Sequence, residues 1–175
     1  MRLLASTFYL RLLAVASAVV LAGCANYHLG ASGPLPFRTL YVAPVLVQTI
    51  VPQAAAPVSE MLRQALLQSG NLQLADQADA DATLEIVLTR YDRGAAATQQ
   101  SNSLNAESFT LTLTASCTLV DNRSGKRYFK DQVISVTEQA FVQNGVSFDE
   151  SEYQAIPRLA RDLSEKIKDA VVSTW

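Results

Sequence analysis

The run SFTLTLTASCTLV, Ser108 to Val120, alternates without a break. Phe109, Leu111, Leu113, Ala115, Cys117 and Leu119 fall on one side of an extended chain, and Thr110, Thr112, Thr114, Ser116 and Thr118 fall on the other. A period of two with apolar and hydroxyl-bearing residues on opposite sides marks a strand buried on one face only. Parallel sheets covered on both faces read as continuous apolar runs, so the pattern argues for an antiparallel sheet with one wet face. Asp121-Asn122-Arg123-Ser124-Gly125 follows as a hairpin turn. Lys126–Thr137 returns as the partner strand, and its less regular alternation predicts a bulge or a half-exposed strand.

Working outward toward the N-terminus, Ala82–Tyr91 alternates again, with Leu84, Ile86 and Leu88 against Thr83, Glu85 and Thr89. Between these strands Ala95–Asn105 reads as a polar loop. Phe37–Val47 is rich in β-branched and aromatic residues and reads as a further strand, with Pro44 marking an edge or an end. A helix follows: Pro52 and Pro57 sit near its start, Val58, Leu62, Ala65 and Leu66 fall at helical spacing, and Gly70 stops it. Asn71–Ala75 reads as a short extended piece. Asp76, Asp79 and Asp81 lie in a turn that lacks the glycine and terminal glutamate of a calcium loop, so solvation is the expected state.

Toward the C-terminus, Gln139–Asp149 reads as a polar loop, with Asp149 or Ser151 as cap of a last helix. Ile156, Leu159, Ala160, Leu163, Ile167, Ala170 and Val171 form its apolar stripe, and Arg158, Arg161, Asp162, Glu165 and Lys168 its wet side. The order β-α-β-β-β-α gives an α+β fold: a four-stranded, mainly antiparallel sheet with two helices packed on one face.

The first 23 residues have a different character. Met1-Arg2 is a short positive start, and Leu12–Leu21 is an apolar run too short to span a bilayer, with Arg11 before it. Leu21-Ala22-Gly23-Cys24 resembles the lipobox at which bacterial lipoprotein precursors are cut, after a diacylglycerol has been added to the thiol. The expected organisation is a signal peptide over 1–23, a lipidated tether over 24–36 with Gly30, Gly33, Pro34 and Pro36, and one periplasmic α+β domain over 37–175. The membrane is reached through the lipid on Cys24; multiple acyl chains hold stably where one does not. Ala25 follows the cysteine. In enteric bacteria aspartate there retains a lipoprotein in the inner membrane, so the expected location is the periplasmic face of the outer membrane.

Composition narrows the function. Hydrophobic residues make up 49% and charged residues 17% of the chain, and the net charge is −2. The two arginines of the signal peptide leave the mature part more acidic still, which disfavours nucleic acid as a partner. The single histidine, His28, follows the lipidated cysteine closely, and there is no Ser-His or Cys-His constellation, phosphate loop or Cys/His metal spacing. The reading is therefore a binding or assembly protein without catalytic residues, metal or cofactor. Cys117 shares the apolar side of its strand and is expected to be a buried small hydrophobe. One local reversal of sign stands out: Arg123, Lys126, Arg127 and Lys130 around the hairpin, with Arg90 and Arg93 ending the preceding strand. Such cations suit phosphate, whereas the plainer alternative is charge at an exposed turn.

Cys24-Ala25-Asn26-Tyr27-His28-Leu29-Gly30 is similar to the mature start of the lipopolysaccharide-assembly lipoproteins of the LptE family. Phe37–Pro44, the Ala80–Leu84 approach to the next strand, the Asp121–Lys126 hairpin and the closing helix from Tyr153 continue the likeness over nearly the whole mature chain. The resemblance implies two helices on a four-stranded sheet and no catalytic activity. It also implies a partner, a large outer-membrane β-barrel that the domain plugs and helps to assemble, and a role in delivering lipopolysaccharide to the outer leaflet. In better-known members, basic residues in the loops after the second and fourth strands contact lipopolysaccharide. Here Ala95–Asn105 and Gln139–Ser147 contain no Lys or Arg, which leaves Arg123, Lys126, Arg127 and Lys130, with Arg90 and Arg93, as candidate contacts to lipopolysaccharide or to the barrel. Two other classes of small tethered domain fit the same outline: an activator of a peptidoglycan synthase and a secretin pilotin.

Cys24→Ser is expected to give an unprocessed or soluble form that takes up no radiolabelled palmitate. Incorporation of palmitate by the variant, or its normal fractionation with outer membrane, would refute lipidation at this residue.

Overall fold

The computed structural model describes residues 35–70, 72–95, 107–142 and 147–174. The expected signal peptide and most of the expected tether, Cys24 and His28 among them, lie outside the described residues, as do Asn71, residues 96–106 and 143–146, and Trp175.

Three long strands carry the fold. β4 (Ala82–Ala95), β5 (Glu107–Asp121) and β6 (Arg127–Val142) form an antiparallel meander. β1 (Thr39–Val42), β2 (Leu46–Val47) and β3 (Gln73–Leu74) complete the sheet. The order is β3-β1-β4-β5-β6, with β2 also beside β4. A 3-10 turn at Pro52–Ala54 leads into α1 (Ala55–Gln68), and α2 (Phe148–Val172) closes the chain.

The expected four-stranded, mainly antiparallel sheet is corrected to a mixed sheet of six strands. The class and the two helices stand. β1 pairs in parallel with both β3 and β4, and β2 in parallel with β4. The expected single strand Phe37–Val47 is split because Pro44 has no N–H for the ladder. Pairing instead resumes on either side of it, through Ala43 N–H to Leu84 O (3.0 Å) and Gln48 N–H to Leu88 O (2.8 Å).

The helix-facing side of the sheet is dry. Leu84, Ile86, Leu88, Leu111, Leu113, Ala115, Cys117 and Leu119 are essentially inaccessible and meet Val58, Leu62 and Leu66 of α1 and Leu159, Leu163 and Ile167 of α2 in one core. Burial pushes the Cys117 thiol up to about 12, in keeping with an inert apolar filler. The opposite face satisfies its own hydroxyls: Thr112 bonds Thr137 at 3.1 Å and Thr114 bonds Ser135 at 2.6 Å across β5 and β6.

Bulges adjust this pattern. The one expected in β6 is present: the pairing shifts twice between Cys117 and Val120, and Asp131 takes φ 51°. A second, between Leu88 and Arg90 on β4, was not expected. One extra residue changes the phase, so Tyr91 faces the core where strict alternation from Leu88 would turn it outward. Element ends also shift. β6 runs to Val142, into the expected polar loop, and the cap of α2 is Ser147, whose Oγ accepts from Glu150 N–H at 3.3 Å, rather than Asp149 or Ser151. Asp149 and Glu150 occupy the first turn, where negative charge suits the helix dipole.

Asp81 is more than a solvated turn residue. Its Oδ2 accepts from the backbone N–H of Arg38 and Thr39, both at 3.1 Å, and its own N–H donates to Thr39 Oγ1 at 2.8 Å. Asn122 of the hairpin donates its N–H to Asp81 O and its side-chain amide to Ala80 O, each at 2.8 Å. One carboxylate thus ties β1 to the start of β4, while the neighbouring backbone holds the β5–β6 turn. Asp121 performs the local counterpart: Oδ1 accepts from Ser124 N–H at 2.7 Å and Arg123 N–H at 2.9 Å, and Oδ2 from the Tyr128 hydroxyl at 3.0 Å. Bonds from Arg38 and Thr39 hold the Asp81 carboxyl below the usual carboxylate range, and bonds from Ser124 do the same for Asp121.

Two predictions follow from this packing. Leu113→Ala and Leu163→Ala should each lose about 2–5 kcal/mol in urea unfolding, because each side chain is fully enclosed. No loss in both would contradict the packing of α2 on β5. The second concerns acid. A carboxyl with a depressed folded pKa stabilises fully above its unfolded value, near pH 3.9, and this stability is lost as pH falls through the folded value. Asp81→Asn should therefore melt lower than the parent at neutral pH, and the difference should shrink on acidification below about pH 4. An equal difference at all pH values would show that the carboxylate charge is not what matters.

Candidate functional site

The six cations singled out in the sequence do not form one patch. The pairing of Ala82 with Asp121 and of Arg93 with Leu111 places the hairpin and Arg93 at opposite ends of the sheet, roughly 30 Å apart at about 3.3 Å per residue.

At the far end, the bulge turns Arg93 to the helix side. Its Nη2 lies 2.8 Å and its Nε 3.1 Å from Glu152 Oε1, and the guanidinium stands 5.6 Å from the Phe148 ring and 5.8 Å from the Tyr91 ring. The Glu152 side chain is only 6% exposed, so Arg93 neutralises a buried carboxylate in the first turns of α2. Removing the arginine would strand that charge. The Tyr91 hydroxyl is buried without a well-formed hydrogen bond, and burial, then the adjacent Glu152, pushes its phenol above the usual range. Phe109 packs edge-on against Phe148 at 4.3 Å. Arg93 is thus a structural clamp between β4 and α2, a role set by a contact across 59 positions of sequence. Arg90, just past the bulge and on the opposite face of the sheet, is exposed and, among the described residues, forms its ion pair with Asp92, at 3.8 Å.

At the hairpin end, β1 approaches, and Gly70 and Gly125, each with φ +69°, let the chain turn after α1 and between β5 and β6. Arg38, Gln73, Asp79, Asp81 and Arg123 line an open polar cleft of about 560 Å³. Arg123 Nη2 binds Asp81 Oδ1 at 2.7 Å, so this cation is already matched. Lys130, in the β6 bulge, meets Asp131 at 3.7 Å. Lys126 stands 5.4 Å from the Tyr128 ring, and that ring packs on Phe37 at 5.4 Å. Of the hairpin cations, Lys126 and Arg127 make no ion pair among the described residues. Both are exposed at the hairpin, beside Tyr128. A contact there is electrostatic and exposed, and salt weakens it.

Among the described residues no group of His, Cys, Asp or Glu is arranged to hold a metal ion, and no helix is long and apolar enough to cross a membrane.

Solved structures share the fold. A minor lipoprotein from Acinetobacter baumannii superposes with a TM-score of 0.52 at 14% identity, over 79% of this chain and 95% of its own. A hypothetical protein from Chlamydia trachomatis gives 0.50 at 10% identity, over 77% and 97%. A Xanthomonas campestris protein gives 0.50 at 12%, over 82% and 88%. Among curated proteins, none matches the chain in sequence. The family described as LptE, lipopolysaccharide-assembly, matches residues 37–171, from the start of the first strand to the end of the last helix. The chain belongs to the LptE family of lipopolysaccharide-assembly proteins.

Proposed function

We propose that the chain is an outer-membrane lipoprotein, held at the periplasmic face by lipid on Cys24, that plugs and helps assemble the lipopolysaccharide-export β-barrel and so assists delivery of lipopolysaccharide to the outer leaflet. The observation that carries this reading is the family match over residues 37–171, which covers every strand and both helices. The architecture is compatible with it. A sheet with its dry face covered by helices and its other face lined by paired hydroxyls presents polar surface, which suits the polar interior of a large outer-membrane barrel. The role is one of assembly and positioning, and no reaction step is assigned to any residue.

Within this reading, Lys126 and Arg127 are the contact residues that the geometry leaves available. Arg123 and Lys130 contribute field rather than free donors, Arg90 stands at mid-strand opposite Thr114, and Arg93 lies toward the other end in its bond to Glu152. Phosphates and acidic sugars of lipopolysaccharide, or acidic residues of the barrel lumen, are the partners such cations fit.

Pull-down from outer membrane should recover the lipopolysaccharide-export barrel; recovery of a cell-wall synthase or a secretin instead would overturn the proposal. A Lys126→Glu/Arg127→Glu variant should lose lipopolysaccharide capture in a purified assay, in a salt-sensitive manner, while still recovering the barrel. Loss of the barrel with capture intact would assign the pair to the plug interface. No change in either would leave them as charges at an exposed turn.

A further inference from the structure

β6 is the last strand of the sheet: β5 lies on one side, and among the described residues no strand lies on the other. An unpaired edge of this length offers a row of free backbone groups to any extended chain. Val133 and Phe141, on β6, are 69% and 52% exposed and would add apolar contact to such pairing.

The edge is nevertheless occupied. Ser151 Oγ donates to Phe141 O at 3.0 Å, Arg158 Nη2 to Gln139 O at 3.5 Å, and Lys166 Nζ to Ser135 O at 2.8 Å. In an antiparallel ladder, successive residues turn both backbone groups toward the neighbour or both away. The three acceptors differ by even steps, so their carbonyls point to the same side, away from β5. The spacing also fits. From Ser151 to Lys166 a helix rises about 22 Å at 1.5 Å per residue, and from Phe141 to Ser135 a strand covers about 20 Å. α2 runs back along β6 and keeps step with it. Arg158 is steadied by Glu138, 3.3 Å from its Nε. Toward the hairpin, where these donors end, Asp131 at φ 51° directs its N–H to Thr118 Oγ1 at 3.1 Å, and the bulge interrupts the edge.

We propose that Ser151, Arg158 and Lys166 of α2 form a latch that closes the β6 edge against pairing with a second copy of the chain. The latch consists of hydrogen bonds to backbone, so it acts whatever sequence the incoming strand carries. Two of its three donors sit on long exposed side chains that can be removed without opening the core. The inference concerns the edge alone and stands apart from the barrel partner proposed above.

Two β6 edges pairing antiparallel about Thr137 would bring that residue opposite its own copy, within disulfide reach. The full chain carrying Thr137→Cys is the reporter, with the parent chain as control for Cys117. Under oxidation, Arg158→Ala/Lys166→Ala in this background should give roughly tenfold more disulfide-linked dimer than Thr137→Cys alone. Arg158→Lys/Lys166→Arg, which keeps a donor at each carbonyl, should return the yield to the reporter's level. Lys166→Ala alone, judged folded by its thermal melt, decides the matter should the double variant fail to fold, and it should raise the yield by a smaller factor. A dimer yield unchanged by loss of the donors in a folded variant would overturn the latch.

Discussion

The single dry face of the β4–β5–β6 meander is the constraint from which the other features follow. Leu84, Leu88, Leu111, Leu113 and Leu119 all project to it, and none is measurably open to water. A one-residue slip of any of these strands would send its whole apolar set to the wet side, so register is fixed by burial rather than by turn chemistry alone. The same constraint dictates the helices. α1 and α2 each carry one apolar stripe, and both stripes are needed to roof the sheet, with Ser164 Oγ bonding Val58 O at 3.2 Å where the two helices meet. The long-range charged contacts sit at the rim: the Asp81 brace at one end, the Arg93–Glu152 clamp toward the other and Arg158 along the β6 edge.

These rim contacts explain why several of the charged residues near the strand ends are already committed to structure. Asp81 and Glu152 look alike in sequence, as ordinary acids near element starts, yet each joins elements distant in the chain. Asp81 joins strands that run parallel and so share no hairpin, while Glu152 fixes where a long helix begins on the sheet. Charges recruited in this way are poor candidates for binding a ligand, since engaging one would break a structural contact. That reasoning reduces six candidate cations to Lys126 and Arg127.

The meander, the hairpin, both helices and the burial of Cys117 were legible because each rests on a period that repeats over many residues. The extended character of β2 and β3 is also legible, within Phe37–Val47 and Asn71–Ala75, but their bounds and partners are not, since each is two residues long and carries no period. The parallel direction of the first strands was hidden for a related reason: pairing partners are chosen by tertiary packing, which alternation does not encode. The β4 bulge did leave a trace, because Tyr91 is apolar but out of step with Leu84, Ile86 and Leu88. Ser147, rather than Asp149 or Ser151, caps α2 because the helix begins earlier than the apolar stripe alone indicates. For the candidate site, local sequence places Arg123, Lys126, Arg127 and Lys130 at or beside the hairpin, but the roles of Asp81 and Arg93 depend on partners more than forty positions away. No local signal marks them.

The bulges bear on how the length of such a chain can vary. β4 and β6 each carry an irregularity, and β5 between them runs straight, its alternation unbroken from Phe109 to Leu119. β5 is the rail against which both neighbours are measured. An inserted residue in β4 or β6 can be absorbed where the ladder already yields, at Leu88–Arg90 or near Asp131, with the rest of the strand keeping its phase. An insertion in β5 has no such refuge and would put two ladders out of step at once. Related chains of different length should therefore differ in the loops and in β4 and β6, and agree in the length of β5.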